Sequence, residues 1–354
     1  MVEKKEKKVR IGCASAFWGD TTTAAKQLVN KGNLNYLVFD FLAEVTMSIL
    51  ARAKTKDPLM GYAGDFVEQI TPLLSEIKKK DIKIISNAGG LNPESCRDSI
   101  QAELDKINLN LKIAIVMGDD IAYKKEEIKK LNISEIDSKE ILPNSCLSIN
   151  AYLGAAGIEK ALENGADIVI TGRCVDSAMV LGPLMYEHQW SLTDFDLLSS
   201  GSLAGHIIEC GAQCTGGNFT DWSIVEGFDD MGFPIVEVFP NGDFIVSKPS
   251  KTGGLVSFGT VAEQFLYEIG NPNAYLLPDV VCDFTSVTIE EIDKNKVLVS
   301  GAKGYPPTDT YKVSATYMDG YRVAATLVIG GRFASDKTEI IANAILKKTK
   351  RILK

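Results

Sequence analysis

The sequence predicts an α/β protein: a three-layer α/β/α arrangement with a mainly parallel sheet, followed by a mixed or antiparallel β-rich portion. Two observations predict it. From residue 9 to about residue 184 the chain repeats one grammar, a short apolar run, then a loop rich in Gly, Asp, Asn, Ser or Thr, then a stretch with helical spacing, as βα units do. After about residue 220 alternating runs are separated by tight turns instead of helices. A βα barrel is the alternative, weakened because too few clear βα units precede the change of texture.

In the first half, strands are expected at 9–14, 36–39, 82–86, 113–117 and 168–171, each short and apolar, as strands covered on both faces should be. Helices at 22–30, 64–79, 93–107 and 153–164 fall between them, and Gly165 stops the last. In the second half, 235–239 and 244–247 flank Pro240-Asn241-Gly242-Asp243, a hairpin turn. Runs 280–289 and 296–300 flank a charged turn, and 311–318 and 321–329 flank Asp319-Gly320. A helix at about 260–269 interrupts this series and another closes the chain at 336–346. The expected organisation is a charged tail (1–8), a parallel α/β domain (9–220) and a mixed-sheet portion (221–354) packed on it as one unit.

At 354 residues, 45% of them apolar, the chain can bury a large core unaided. Its cysteines, Cys13, Cys96, Cys146, Cys174, Cys210, Cys214 and Cys282, are odd in number and scattered, which predicts reduced thiols. The opening Glu3-Lys4-Lys5-Glu6-Lys7-Lys8 lacks the pattern of a signal peptide, and nothing later approaches the roughly 20 apolar residues that span a bilayer. The expected compartment is the cytoplasm, with no membrane partner. A net charge of -8 argues against nucleic acid as a partner, because phosphate-backbone binders need a surplus of Lys and Arg. Lys347, Lys348, Lys350, Arg351 and Lys354 read as a helix end or solvated tail.

Chemistry-bearing residues collect at the ends of the predicted parallel strands, where helix N-termini converge. In loop 15–23, Asp20 or the threonines from Thr21 onward can cap the next helix, and free N–H groups there suit a carboxylate or phosphate. This is neither a Walker A loop nor a dinucleotide fingerprint. Asp40 and Glu44, four apart, face one side if the chain is helical from Phe41, and suit acid–base work or a divalent cation. In the turn from Asn87 to Pro93, Gly89 and Gly90 let the backbone approach a ligand, while Asn87 and Asn92 offer hydrogen-bonding groups. Asp119 ends the fourth strand.

After the fifth strand, Arg173 can hold an anion bidentately with Asp176 orienting it, and Cys174 is a nucleophile only if its thiolate is stabilised. His206, Glu209, Cys210 and Cys214 follow within nine residues. Their atoms suit zinc, but the spacing matches no standard structural site. His206 reads better as general acid or base, oriented by Glu209. His188, the other histidine, lies near Trp190 and reads as a surface or packing residue.

Four ordered stretches, 40–47, Asn87-Ala88-Gly89-Gly90-Leu91-Asn92-Pro93, Thr171-Gly172-Arg173-Cys174-Val175-Asp176-Ser177-Ala178, and 205–213 running on into Thr215-Gly216-Gly217-Asn218, together resemble the acyclic terpene utilisation (AtuA-like) family. The resemblance runs over roughly residues 9 to 330. It implies a place in the breakdown of acyclic terpenes and branched acids through coenzyme A thioesters, with coenzyme A as part of the substrate, and carries over no catalytic residues. Many relatives have an additional small C-terminal domain, which this chain is not expected to contain.

The first functional reading is a lyase or hydratase acting on a small-molecule substrate, a branched acyl thioester or its free acid. Arg173 and the Gly89-Gly90 turn would hold the anionic end, and His206 with Asp40 or Glu44 would move protons, without a redox cofactor. The alternatives are a hydrolase or isomerase with a divalent cation on Asp40, Glu44 and Asp119, and a non-catalytic ligand-binding or scaffold subunit. The glycine-rich motif ends also suit a subunit interface, which leaves a homo-oligomer open.

Overall fold

The computed structural model describes residues 7–353. Of the expected charged tail, residues 1–6 lie outside this range, as does Lys354. Lys7 forms an ion pair with Glu187 at 2.8 Å, and Lys8 pairs with Glu237. By contact density the chain divides into two compact units, Met1–Tyr317 and Met318–Lys354.

The strands of the first half are β1 (Val9–Cys13), β2 (Tyr36–Phe39), β3 (Lys83–Ser86), β4 (Ile113–Val116), β5 (Cys146–Ala151) and β6 (Ile168–Thr171). All but β5 pair in parallel, in the order β1-β2-β3-β6-β4. Side chains alternate between faces, as the twofold period of a strand demands. Tyr36, Val38, Ile85 and Val169 enter one core, with α7 (Ala156–Glu163), α8 (Ala178–His188) and α9 (Phe195–Glu209). Leu37, Phe39, Ile84 and Ile170 enter the other, with α1 (Ala24–Lys31), α3 (Gly64–Ile70), α4 (Leu74–Lys80) and α5 (Pro93–Lys106). Helices on both faces make the three layers, and the sheet is open, not a closed barrel. Two further helices, α2 (Glu44–Lys56) and α6 (Lys125–Lys130), complete this half.

The second half continues the same sheet. The hairpin β7 (Ile235–Val238) and β8 (Phe244–Ser247) adds antiparallel to β1. A helix, α10 (Phe258–Leu266), opens with a Ser257–Thr260 capping box. The remaining strands are β9 (Tyr275–Leu276), β10 (Val281–Asp283), β11 (Thr288–Asp293), β12 (Lys296–Ser300), β13 (Lys303–Tyr305) and β14 (Val313–Tyr317). β12 and β11 extend the sheet beyond β8, β9, β10 and β13 form a small sheet of their own, and β14 pairs with β5.

Three sequence expectations are corrected. The helix expected at 64–79 is broken by a tight 3-10 turn, Thr71–Leu73, because Pro72 has no N–H to continue the ladder. The run 280–289 is two strands, β10 and β11, in different sheets. The hairpin about Asp319-Gly320 does not form: 311–318 supplies β14, which pairs with the distant β5, joined by a Ser148–Thr316 hydroxyl pair at 2.7 Å, while 321–329 is not a strand. The second unit contains α11 (Ala334–Ile352), longer than the helix expected at 336–346. No helix among the described residues is long and apolar enough to cross a membrane.

The turn from β3 into α5 passes so close to β6 that a Cβ on Gly89 would lie 2.5 Å from the Thr171 carbonyl oxygen. Gly89→Ala should therefore destabilise the protein by about 1–3 kcal/mol in a denaturant titration, the usual cost of overpacking. Gly64→Ala, where nothing lies within 4 Å, should change stability by less than about 1 kcal/mol.

Candidate active site

The carboxyl ends of β2 and β6, the end of α9 and the segments after β5 and before β14 open on one cavity of about 620 Å³ within the first unit. Asp40, Glu44, Tyr152, Arg173, Asp176, His206, Glu209 and Lys312 are among its polar lining, with Glu268 a further carboxylate. The insertion of β6 between β3 and β4 brings the β6 loop next to those of β2 and β3, as expected for a site outside the carboxyl edge of an open sheet.

Arg173 is 3% exposed, so its charge must be met inside the protein. Its Nη1 donates to Asp176 Oδ1 at 2.8 Å and to the Cys174 carbonyl at 3.0 Å. The guanidinium lies 4.1 Å from the centre of the Tyr152 ring, and Lys312 Nζ lies 4.7 Å from the same ring, which is cation–π range. Its Nε is buried without a hydrogen-bond partner among the described residues. Tyr152 donates its hydroxyl to Glu44, and Lys312 pairs with Glu44 at 3.4 Å. Burial raises the Glu44 carboxyl, but the Tyr152 hydroxyl and the two cations outweigh it and bring it down to about 2.

His206 stands in the last turn of α9 and is 2% exposed. Its Nδ1 meets Glu209 Oε1 at 2.9 Å, while Nε2 is buried without a partner among the described residues. Gln264, on α10, donates to the His206 carbonyl at 2.9 Å and holds this turn in place. Burial opposes the imidazolium, yet the neighbouring Glu209 charge wins and the His206 pKa is raised. Glu209 is itself raised by burial against the pull of His206. Both shifts favour holding a proton on the pair. Tyr275 packs at 6.2 Å from the His206 ring.

Six of the residues that sequence proposed as catalytic or substrate-binding therefore share the cavity, Asp40, Glu44, Arg173, Asp176, His206 and Glu209, with Cys210 beside them. The others serve beneath or beside it. Asn87 is wholly buried and bonds Asp40 at 2.7 Å. Gly89 is where two backbones touch, and Gly90 takes φ 52° with Leu50 and the Gly61 carbonyl against its α-carbon, so neither is the ligand cradle expected of them. Asn92 caps α5 and donates to the Pro58 and Met60 carbonyls at 3.0 Å. Asp20 accepts from the Ala16 N–H at 3.0 Å, and Thr21 bonds Thr23; neither lines the cavity, although Ala16 does.

Asp119 is buried at the base of the Arg173 loop, accepting from Arg173 N–H and Asn150 Nδ2 at 2.8 Å each. The metal set Asp40, Glu44 and Asp119 is not assembled, and no group of three or more His, Cys, Asp or Glu side chains suited to a metal occurs among the described residues. Burial pushes the Cys174 and Cys210 thiols up to about 12 and raises Cys214 as well, so these are protonated sulfhydryls and not ready nucleophiles. Sequence reading missed Tyr152, Tyr275 and Lys312. The signal for Tyr152 lay in the unrecognised strand β5, and Lys312 reaches the site only through the pairing of β14 with β5.

The molecule is thus a mixed α/β protein with an open sheet, parallel in its core and extended by antiparallel strands, and a polar cavity at the carboxyl edge of the parallel part. The family model described as acyclic terpene utilisation family protein AtuA matches residues 9–353, and the chain belongs to that family, which suggests a role in acyclic terpene utilisation. No curated protein and no solved structure matches the chain.

The His206–Glu209 pair has a pH signature. Because the folded pKa of His206 is raised, the stability it contributes is complete below its unfolded value of about 6.5 and is lost as pH rises through the folded value. The melting-temperature gap between wild type and His206→Asn should narrow as pH rises above about 6.5, and should not narrow when both carry Glu209→Gln.

Proposed function

We propose that this protein is an acid–base enzyme of lyase or hydratase type, acting on a branched acyl substrate as a coenzyme A thioester or free acid. The observation that carries this reading is the presence in one cavity of a buried histidine with one ring nitrogen committed and the other unpartnered, beside a buried arginine whose Nε is equally unpartnered. With Nδ1 held by Glu209, Nε2 of His206 is the atom able to take or give a proton. With Nη1 of Arg173 occupied by Asp176 and Cys174, its Nε and Nη2 form the edge suited to a two-point contact with an anionic oxygen pair.

Val175, Leu276, Leu277 and Pro278 supply an apolar wall for an alkyl chain. A cavity of about 620 Å³ falls within the usual range for small-molecule sites, roughly 300–1,000 Å³, and would hold the acyl end with the nucleotide of coenzyme A outside. In the hydratase direction neutral His206 accepts a proton from water at Nε2 as the water oxygen bonds the β-carbon of an enoyl group, and then returns that proton to the α-carbon, so that H and OH add across the double bond with no net change on the histidine. The reverse expels water.

Thermal-shift and turnover measurements with 3-methylbut-2-enoyl-coenzyme A and the free 3-methylbut-2-enoate test the reading. The wild type should be stabilised by at least one of them, since a ligand that binds the native state raises the melting temperature. Arg173→Lys, which keeps the charge but loses the planar fork, should lose most of that shift. His206→Asn should keep binding and lose on the order of 10²- to 10⁴-fold in turnover. Neither shift nor turnover with either compound would sink the proposal.

A further inference from the structure

Asp40 is buried at the end of β2, on the wall of the cavity, and its carboxyl is oriented from below. The Phe41 N–H donates to Asn87 Oδ1 at 2.8 Å, which decides which end of the Asn87 amide is oxygen. Nδ2 must then face Asp40, and it donates to Oδ1 at 2.7 Å. The Leu42 N–H approaches the same oxygen at 3.4 Å. An oxygen that faces two N–H donors acts as an acceptor and has no room for a proton of its own, so any proton on Asp40 resides on Oδ2, which has no hydrogen bond from the described residues.

The surroundings favour that proton. An ionised Asp40 would stand beside the carboxylates of Asp176 and Glu209, and the nearest cation, Arg173, is already paired with Asp176. Burial and those two charges push the Asp40 carboxyl well above the usual range, against the opposing pull of Asn87 and Arg173.

We propose that Asp40 is a neutral carboxylic acid that donates from Oδ2 to the carbonyl oxygen of an acyl ligand, and that Asn87 is the positioning residue that turns this donor toward the cavity. A buried neutral acid of this kind stabilises negative charge developing on a carbonyl oxygen without itself losing its proton. The nature of the ligand rests on the acyl reading above; the state and orientation of the carboxyl do not. Asn87, which sequence reading placed at a ligand, acts one step behind it.

Infrared difference spectroscopy of the full chain at about pH 7, wild type minus Asp40→Asn, reads the state directly. It should show a carboxylic-acid C=O band that shifts in Asn87→Ala, where the carbonyl oxygen loses a donor, and stays in place in Asn92→Ala. A carboxylate band in its stead, or a band indifferent to Asn87→Ala, overturns the proposal. In binding assays with 3-methylbut-2-enoyl-coenzyme A, Asp40→Asn retains a donor at the Oδ2 position and should bind within about threefold of wild type, whereas Asp40→Ala should weaken binding about tenfold or more. Equal losses in both variants would overturn the donor role. A wild type that binds no thioester overturns the acyl reading and this role with it, while the infrared band still decides whether Asp40 is neutral.

Discussion

A guanidinium shut away from water must find its counter-charge and its hydrogen bonds within the protein, and the site is arranged around that demand at Arg173. Asp176 provides the charge, Tyr152 a π-face and the Cys174 carbonyl a further acceptor. Asp119 holds the backbone from which the side chain departs. Tyr152 in turn binds Glu44 and carries Lys312 on its ring. Residues from the start of α2, from just after β5, from the β6–α8 loop and from the approach to β14 are thereby tied together around one buried cation. Loss of Asp176 would leave the Arg173 charge uncompensated in a medium that solvates it poorly.

The histidine obeys a complementary rule. His206 sits at the carboxyl end of α9, where the helix dipole favours positive charge, with Glu209 one turn on. Gln264, itself bonded to Gln213, clamps the backbone of that turn. The imidazole is therefore held by its main chain and one ring nitrogen, while its second nitrogen has no partner among the described residues. Buried polar atoms are rarely left in this state without a use, and Arg173, in the lining of the same cavity, shows the same feature.

Much of this was legible from residue order. The five parallel strands, the β7–β8 hairpin, the α10 region and six cavity residues were recognisable because each depends on a local pattern: an apolar run, a turn dipeptide, or a polar residue just past a strand end. The failures are equally local in origin. Two adjacent glycines and two asparagines read as a ligand cradle, yet Gly89 answers to the nearness of Thr171 and Asn92 to the open end of α5. Asp20 similarly serves its own loop.

By itself the sequence determined the alternation of strand and helix, the two-faced burial of the strands and the family to which the chain belongs, since these rest on periodicity and on short ordered motifs. Only the tertiary structure decided that β6 inserts between β3 and β4, that β14 turns back to β5, and that Tyr152 and Lys312 consequently meet Arg173. The physical reason is range. Periodicity says which face of a strand is buried, but the choice of neighbour is made by burial and hydrogen-bond satisfaction over the whole sheet, between segments more than a hundred residues apart.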